Sequence, residues 1–247
     1  MEIKKSDYIS YFKISELLSE IGKKEEAETM LRNLLSKKPD FYEATELLGD
    51  LLCEKQNYKE VLNIYMEALK YSPNKYEIYY NLGIVYTMLN DFDMAKQYYE
   101  KSAQINHELY NAYYNIAQIS LLYKDLDGAE EYFTKSLYGE ETEAKAYFQL
   151  AKIYLIKNQR EKAINFINKA IELNPEYLKI IEDEPMFLSI KQFLIKPTET
   201  SVSKKSISKK EEKVEEHLEN TFEITENIKK VQKVEEEKNI HKEERYE

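Results

Sequence analysis

Along residues 8–177 the large apolar side chains return at spacings of three and four, as in Tyr79, Leu82 and Tyr86. That period puts them on one stripe of a helix rather than on alternate faces of a strand. A short polar corner breaks each stripe, such as Asn90–Asp93 or Asn158–Glu161. A second stripe follows, as in Ala95, Tyr99 and Ser102. The pattern predicts a helix, a turn and a second helix.

The same pattern then recurs. YYNLGIVYTMLNDFDMAKQYYEKSA begins at Tyr79, and YYNIAQISLLYKDLDGAEEYFTKSL begins at Tyr113, 34 residues on. A column of large–small pairs runs through Ile14–Ser15, Leu48–Gly49, Leu82–Gly83, Ile116–Ala117 and Leu150–Ala151. Later columns hold Ala27, Val61, Ala95, Ala129 and Ala163, then Leu31, Tyr65, Tyr99, Phe133 and Ile167. The small residues let two antiparallel helices approach closely, and the large ones fill the space beside them. Pro39, Pro73 and Pro175 stop the second helix, while His107 and Glu141 hold that place in the other two units. Self-similarity at this period predicts a solenoid. After a lead of residues 1–7, five units are expected at 8–41, 42–75, 76–109, 110–143 and 144–177.

These columns resemble those of the tetratricopeptide repeat family. Tyr11, Thr45, Tyr79, Tyr113 and Tyr147 stand where that family carries a tryptophan. The resemblance implies an all-α, right-handed superhelical solenoid of five helix-turn-helix units. The first unit departs most, with Ser15 and Leu34 at positions that usually hold small residues.

Beyond Tyr177 the repeat stops. Residues 178–196 are apolar, with Phe187, Ile190 and Leu194 at spacings of three and four, and Pro185 suits a first helical turn. They are expected to form a capping helix segment, since a solenoid needs its open end covered. From Pro197 to Glu247 the composition turns to Lys, Glu, Ser, Thr and Asn, which predicts a flexible or partly helical charged tail.

Composition narrows the function. The 247 residues carry a formal net charge of −10, which argues against binding nucleic acid through phosphates. Five Gly and five Pro leave little material for phosphate loops or many strand turns. No run approaches 18 consecutive apolar residues, so membrane insertion is not expected. With no signal-peptide core and a single cysteine, Cys53, a cytoplasmic location is expected. His107, His217 and His241 have no metal-ligand spacing, and no nucleophile motif is present. The reading is a non-enzyme without cofactor or metal.

In the resembling family the first helix of each unit lines a concave face, which here assigns candidate partner-binding residues. One end is acidic: Glu16, Glu43, Glu46, Asp50 and Glu77. The rest is Tyr80, Asn81, Ile84, Tyr114, Asn115, Gln118, Lys145, Phe148, Gln149 and Lys152. Tyr80, Tyr114 and Phe148 read as a shared exposed aromatic strip. Asn81 and Asn115 read equally as ligand amides or as packing residues. Some family members clamp a chaperone's C-terminal carboxylate with two lysines, two asparagines and an arginine. Asn115 and Lys145 match that clamp, but Tyr80, Ile84 and Gln149 do not, so it is set aside. The expected function is a scaffold or adaptor holding a peptide or helix of a partner protein. Two alternatives remain: a chaperone-like escort of a secreted or assembly-prone client, and a regulatory subunit of a separate enzyme.

Overall fold

The structure is a computed structural model describing residues 8–194. Among the described residues every regular element is a helix. The α-helices are α1 Tyr8–Glu20, α2 Lys24–Lys37, α3 Tyr42–Glu54, α4 Tyr58–Tyr71, α5 Tyr76–Met88, α6 Phe92–Ile105, α7 Tyr110–Leu122, α8 Leu126–Ser136, α9 Glu143–Ile156, α10 Arg160–Leu173 and α11 Tyr177–Asp183. The chain divides into two compact units, Met1–Ile119 and Ser120–Glu247, with the division inside α7.

In the first unit each helix from α1 to α6 packs on the next. The stripes meet in a core that includes Leu31, Leu34, Leu48, Leu52, Tyr65 and Leu82. Two glycines set the spacing. A Cβ at Gly49 would lie 2.6 Å from Tyr65 Oη, and one at Gly83 would lie 2.6 Å from the Tyr99 ring. Only glycine lets these tyrosines cross so close to the preceding helix. In the second unit α9 packs on α8 and α10, and α10 on α11.

One turn recurs with the repeat. Gly22, Gln56, Asn90, Lys124 and Asn158 all have positive φ, between 55° and 81°. The next residue's N–H reaches back five residues in each case, from Lys23 to Leu18 O, Asn57 to Leu52 O, Asp91 to Tyr86 O, Asp125 to Ser120 O and Gln159 to Tyr154 O. This left-handed C-terminal turn satisfies carbonyls that the helix end would otherwise orphan. Glycine fills it without strain, and asparagine tolerates it. Gln56 and Lys124 adopt it against their own preference, because packing on both sides fixes the corner.

The fourth helix pair differs at its end. α8 is 11 residues long where α2, α4, α6 and α10 have 14. The chain then turns through residues 137–142, and the buried Thr142 donates its hydroxyl to Ser136 O and to Gly139 O (3.2 Å). This hydroxyl anchor stands one residue after Glu141, which holds the place of Pro39, Pro73 and Pro175.

After α11 the chain makes two single turns of 3-10 helix, Pro185–Phe187 and Lys191–Phe193, in place of one further α-helix. Ile181, Phe187 and Ile190 are buried, and Leu194 is half-buried. The expected tail, residues 197–247, lies outside the described residues, as does the lead, 1–7. No helix among the described residues is long and apolar enough to cross a membrane.

Candidate partner-binding face

In the first unit the face of interest is built by α1, α3, α5 and the start of α7. Its centre is a cluster of tyrosine hydroxyls. Asn81 Nδ2 donates to Tyr42 Oη (3.1 Å) and to Tyr65 Oη (3.2 Å). Tyr42 Oη donates to Glu46 Oε1 (3.0 Å). The Lys75 ammonium lies 4.2 Å from the Tyr42 ring centroid and 3.5 Å from Glu77 Oε1. Glu46, Asp50, Glu77 and Asn81 are therefore gathered around two hydroxyls.

The electrostatics follow from that geometry. Burial, then the nearby Glu46 carboxylate, pushes the Tyr42 phenol well above its ordinary value. Burial, then Asp50 and Glu46, does the same to Tyr65. Burial and Asp50 raise the Cys53 thiol to about 11, which keeps it a protonated, unreactive thiol at neutral pH. Glu16, Glu43 and Glu46 are exposed. None of these three forms an ion pair among the described residues.

A second network lies one period on. Asn115 Nδ2 donates to Tyr80 Oη (3.3 Å), the Tyr80 ring lies 5.5 Å from that of Tyr99, and Tyr99 Oη pairs with Thr87 Oγ1 (3.2 Å). Asn81 and Asn115 thus share one task. Each amide bonds tyrosine hydroxyls of the preceding helix pair, among them Tyr65, which stands over Gly49, and Tyr99, which stands over Gly83. One period on, the same columns hold Ala117, Phe133 and Gln149, so no tyrosine hydroxyl stands there to need an amide. Both amides, Asn81 and Asn115, donate to tyrosine hydroxyls of their own chain. The signal was present in the sequence as the linked set Gly49, Tyr65 and Asn81, repeated as Gly83, Tyr99 and Asn115.

The exposed aromatic strip is corrected. Tyr80 is half-buried, while Tyr114 and Phe148 are each only 7% exposed. In the second unit Phe148 stacks on Tyr177 at 4.7 Å between centroids and meets Phe187 at 5.6 Å. Lys152, half-buried, donates to Glu184 Oε1 (3.1 Å). Residues 177–187 therefore cover this part of α9. Spacing alone could not show that the chain would spend Phe148 and Lys152 on its own C-terminal segment. Lys145 and Gln149 are half-buried, and burial lowers the Lys145 ammonium from its usual range, against the pull of Glu141. In the first unit Ile84 and Gln118 are also half-buried. Among the described residues no three His, Cys, Asp or Glu side chains come together to hold a metal.

Paired helices in a fixed register, each pair closed by the same left-handed turn, define a helical-repeat scaffold. Tetratricopeptide repeat models match residues 12–60, 76–109 and 144–177, and a TPR repeat model matches 49–90. The chain belongs to the tetratricopeptide repeat family. Among solved structures it is similar to YrrB, described as a TPR protein with an unusual peptide-binding site. That match has 24% identity and a TM-score of 0.57, covering 72% of this chain and 92% of the other. It is also similar to a MamA protein, with 19% identity, a TM-score of 0.59 and coverage of 71% and 96%. A MamA fragment from Desulfovibrio magneticus RS-1 gives 21% identity, a TM-score of 0.58 and coverage of 69% and 96%. These likenesses concern the fold. No curated protein matches the chain. The repeat family and these neighbours support a protein-interaction scaffold.

Proposed function

We propose that the chain is a non-catalytic adaptor that holds a segment of a partner protein against α1, α3 and α5, and that this segment carries basic and apolar side chains. The carrying observation is the run of exposed carboxylates Glu16, Glu43 and Glu46, with Asp50 and Glu77 beside them, around half-buried Leu47, Ile84 and Thr87. Carboxylates on the rim select cationic partners and speed their approach, and the apolar floor supplies contact area. YrrB, of the same fold, is described as having a peptide-binding site, which is consistent with this reading. Tyr80, Gln118, Asn81 and Asn115 border the same face, the two asparagines as supports of its tyrosines.

The test is selection from a random peptide library on the wild-type chain and on Glu16→Lys/Glu43→Lys. The wild type is expected to enrich peptides with several Lys or Arg beside Leu, Ile or aromatic residues. Charge reversal at two exposed positions should abolish that enrichment without altering the melting curve, and added salt should weaken it. Enrichment of acidic peptides, or identical selections by both proteins, would contradict the proposal.

A further inference from the structure

Three positions of each first helix are always apolar or small, and in four helix pairs they are buried. They are Ala44, Leu48 and Leu51 in α3; Ile78, Leu82 and Val85 in α5; Ala112, Ile116 and Ile119 in α7; and Ala146, Leu150 and Ile153 in α9. The preceding helix covers this face, α2 over α3 and α4 over α5 in the first unit, and α8 over α9 in the second. In α1 the same three positions are Ser10, Ile14 and Leu17. Ile14 is 46% and Leu17 58% exposed, and Ile21 on the same stripe is 67% exposed. A face that receives a helix on α3, α5 and α9 has none over it on α1 among the described residues. Terminal repeats ordinarily carry a polar outer face.

We propose that this face of α1 is a homodimer interface, in which α1 of one copy packs antiparallel on α1 of a second. Three observations select that occupant. First, Ser10, Ile14, Leu17 and Ile21 follow the alternating three-and-four spacing of a two-helix seam. Second, Lys13 and Glu20 sit one residue before Ile14 and Ile21, on the same edge of that seam, and both are exposed. When two copies pack antiparallel, like edges face each other. Leu17 then lies near the two-fold axis, Ile14 faces Ile21 of the second copy, and Lys13 comes opposite Glu20 of the second copy. A parallel pair would not set Lys13 opposite Glu20. Third, the C-terminal segment buries Phe187 and Ile190 and exposes Leu188 and Phe193 at short 3-10 turns, not on a helix face that matches the stripe of α1. An isologous contact closes on itself, whereas head-to-tail contacts propagate.

The test is sedimentation equilibrium on the full chain over a dilution series, with four variants. The wild type is expected to be a reversible dimer. Leu17→Glu should raise the dissociation constant by a factor of at least about ten, since it puts a charge on the axis beside its own copy. Lys13→Glu and Glu20→Lys should each weaken the dimer by about three- to tenfold, and the double variant Lys13→Glu/Glu20→Lys should restore it. All these positions are exposed, so far-ultraviolet melting curves should coincide at concentrations below the wild type's dissociation constant. A wild type that is monomeric at every concentration overturns the interface, as does a dimer indifferent to Leu17→Glu. A dimer lost in Leu17→Glu but not restored in the double charge reversal overturns the antiparallel arrangement.

Discussion

α1 and α9 occupy the same place in the 34-residue register, and the chain treats them in opposite ways. In α9, Leu150 and Ile153 are buried, Phe148 lies beneath Tyr177 and Phe187, and Lys152 is tied to Glu184. In α1 the matching Ile14 and Leu17 stand open. The matching residue to Lys152 is the exposed Glu16. The difference teaches that a repeat's sequence specifies a surface to be covered, and that its neighbour decides whether it is. The second unit covers one surface of α9 with α8 and the other, at Phe148 and Lys152, with its own C-terminal segment. The first unit leaves its surfaces available, one apolar and one rimmed with carboxylates.

The comparison breaks most visibly on truncating a covered and an open side chain. Phe187→Ala should cost about 3–5 kcal/mol, the usual range for emptying a buried aromatic site. Leu17→Ala, at the same low protein concentration, should change stability by no more than about 0.5 kcal/mol, as for exposed positions. Urea unfolding of both variants checks the contrast. Equal losses would mean that the C-terminal segment does not seal α9, or that α1 is covered after all.

A smaller effect separates packing amides from ligand amides. Asn81→Ala leaves the buried Tyr65 hydroxyl without its donor and should destabilise the chain by about 1–3 kcal/mol. Peptide selection by the folded variant should keep its preference for basic sequences. A variant as stable as wild type that loses this preference would return Asn81 to the ligand.

Acid should weaken both units through one recurring contact. Lys55 Nζ pairs with Glu28 (2.8 Å) in the first unit, and Lys157 Nζ with Glu130 (2.6 Å) in the second. The two lysines share one register position, as do the two glutamates. Hydrogen bonds from Lys55 and Arg32 hold Glu28 below its ordinary 4.5, against the opposing effect of burial. For Glu130 burial is the largest influence and acts upward. Bonds from Lys157 and Tyr154, with the charges of Lys157 and Lys162, outweigh it and hold the carboxyl below 4.5. Carboxyls lowered on folding stabilise fully above 4.5, and that contribution is lost as pH falls through their lower folded values. Melting temperatures from neutral pH downward should therefore decline in that acid range, and Glu130→Gln should show a shallower decline. An unchanged slope would remove Glu130 from the account.

The smallest expected effect is a gain. Lys124 holds a left-handed turn that Gly22 adopts without cost to a side chain. Lys124→Gly should stabilise the second unit by up to about 1 kcal/mol, the strain of that conformation less the added chain entropy of glycine. Thermal melts of Lys124→Gly would test it, and destabilisation would show that the lysine side chain contributes more than its backbone strains.

How far the sequence could be read follows from these same residues. Helix pairing was legible because Leu82, Gly83, Ala95 and Tyr99 repeat at one spacing, and each answers a steric demand that any neighbour must meet. The left-handed turns at Gln56 and Lys124 were not, since neither residue announces positive φ, and packing imposes it. Candidate face positions followed from register. Their exposure did not, because Phe148 takes its burial from Tyr177 and Phe187 of the C-terminal segment. The two 3-10 turns after α11 escaped for a related reason. A spacing of three and four fits an α-helix or a pair of tight turns equally well over so few residues.

The central claim is that recognition falls on the first-helix face of the first unit, where the carboxylates stand open, and not on the covered face of α9. Resonance mapping of an isotope-labelled chain titrated with a short Lys- and Leu-rich peptide tests this directly. The account predicts shifts concentrated at Glu43, Glu46, Asp50, Glu77 and Ile84, fading as salt is added, with Ala146 and Phe148 unmoved. Shifts centred on α9, on the α2 and α4 surfaces, or spread evenly along the chain would contradict it.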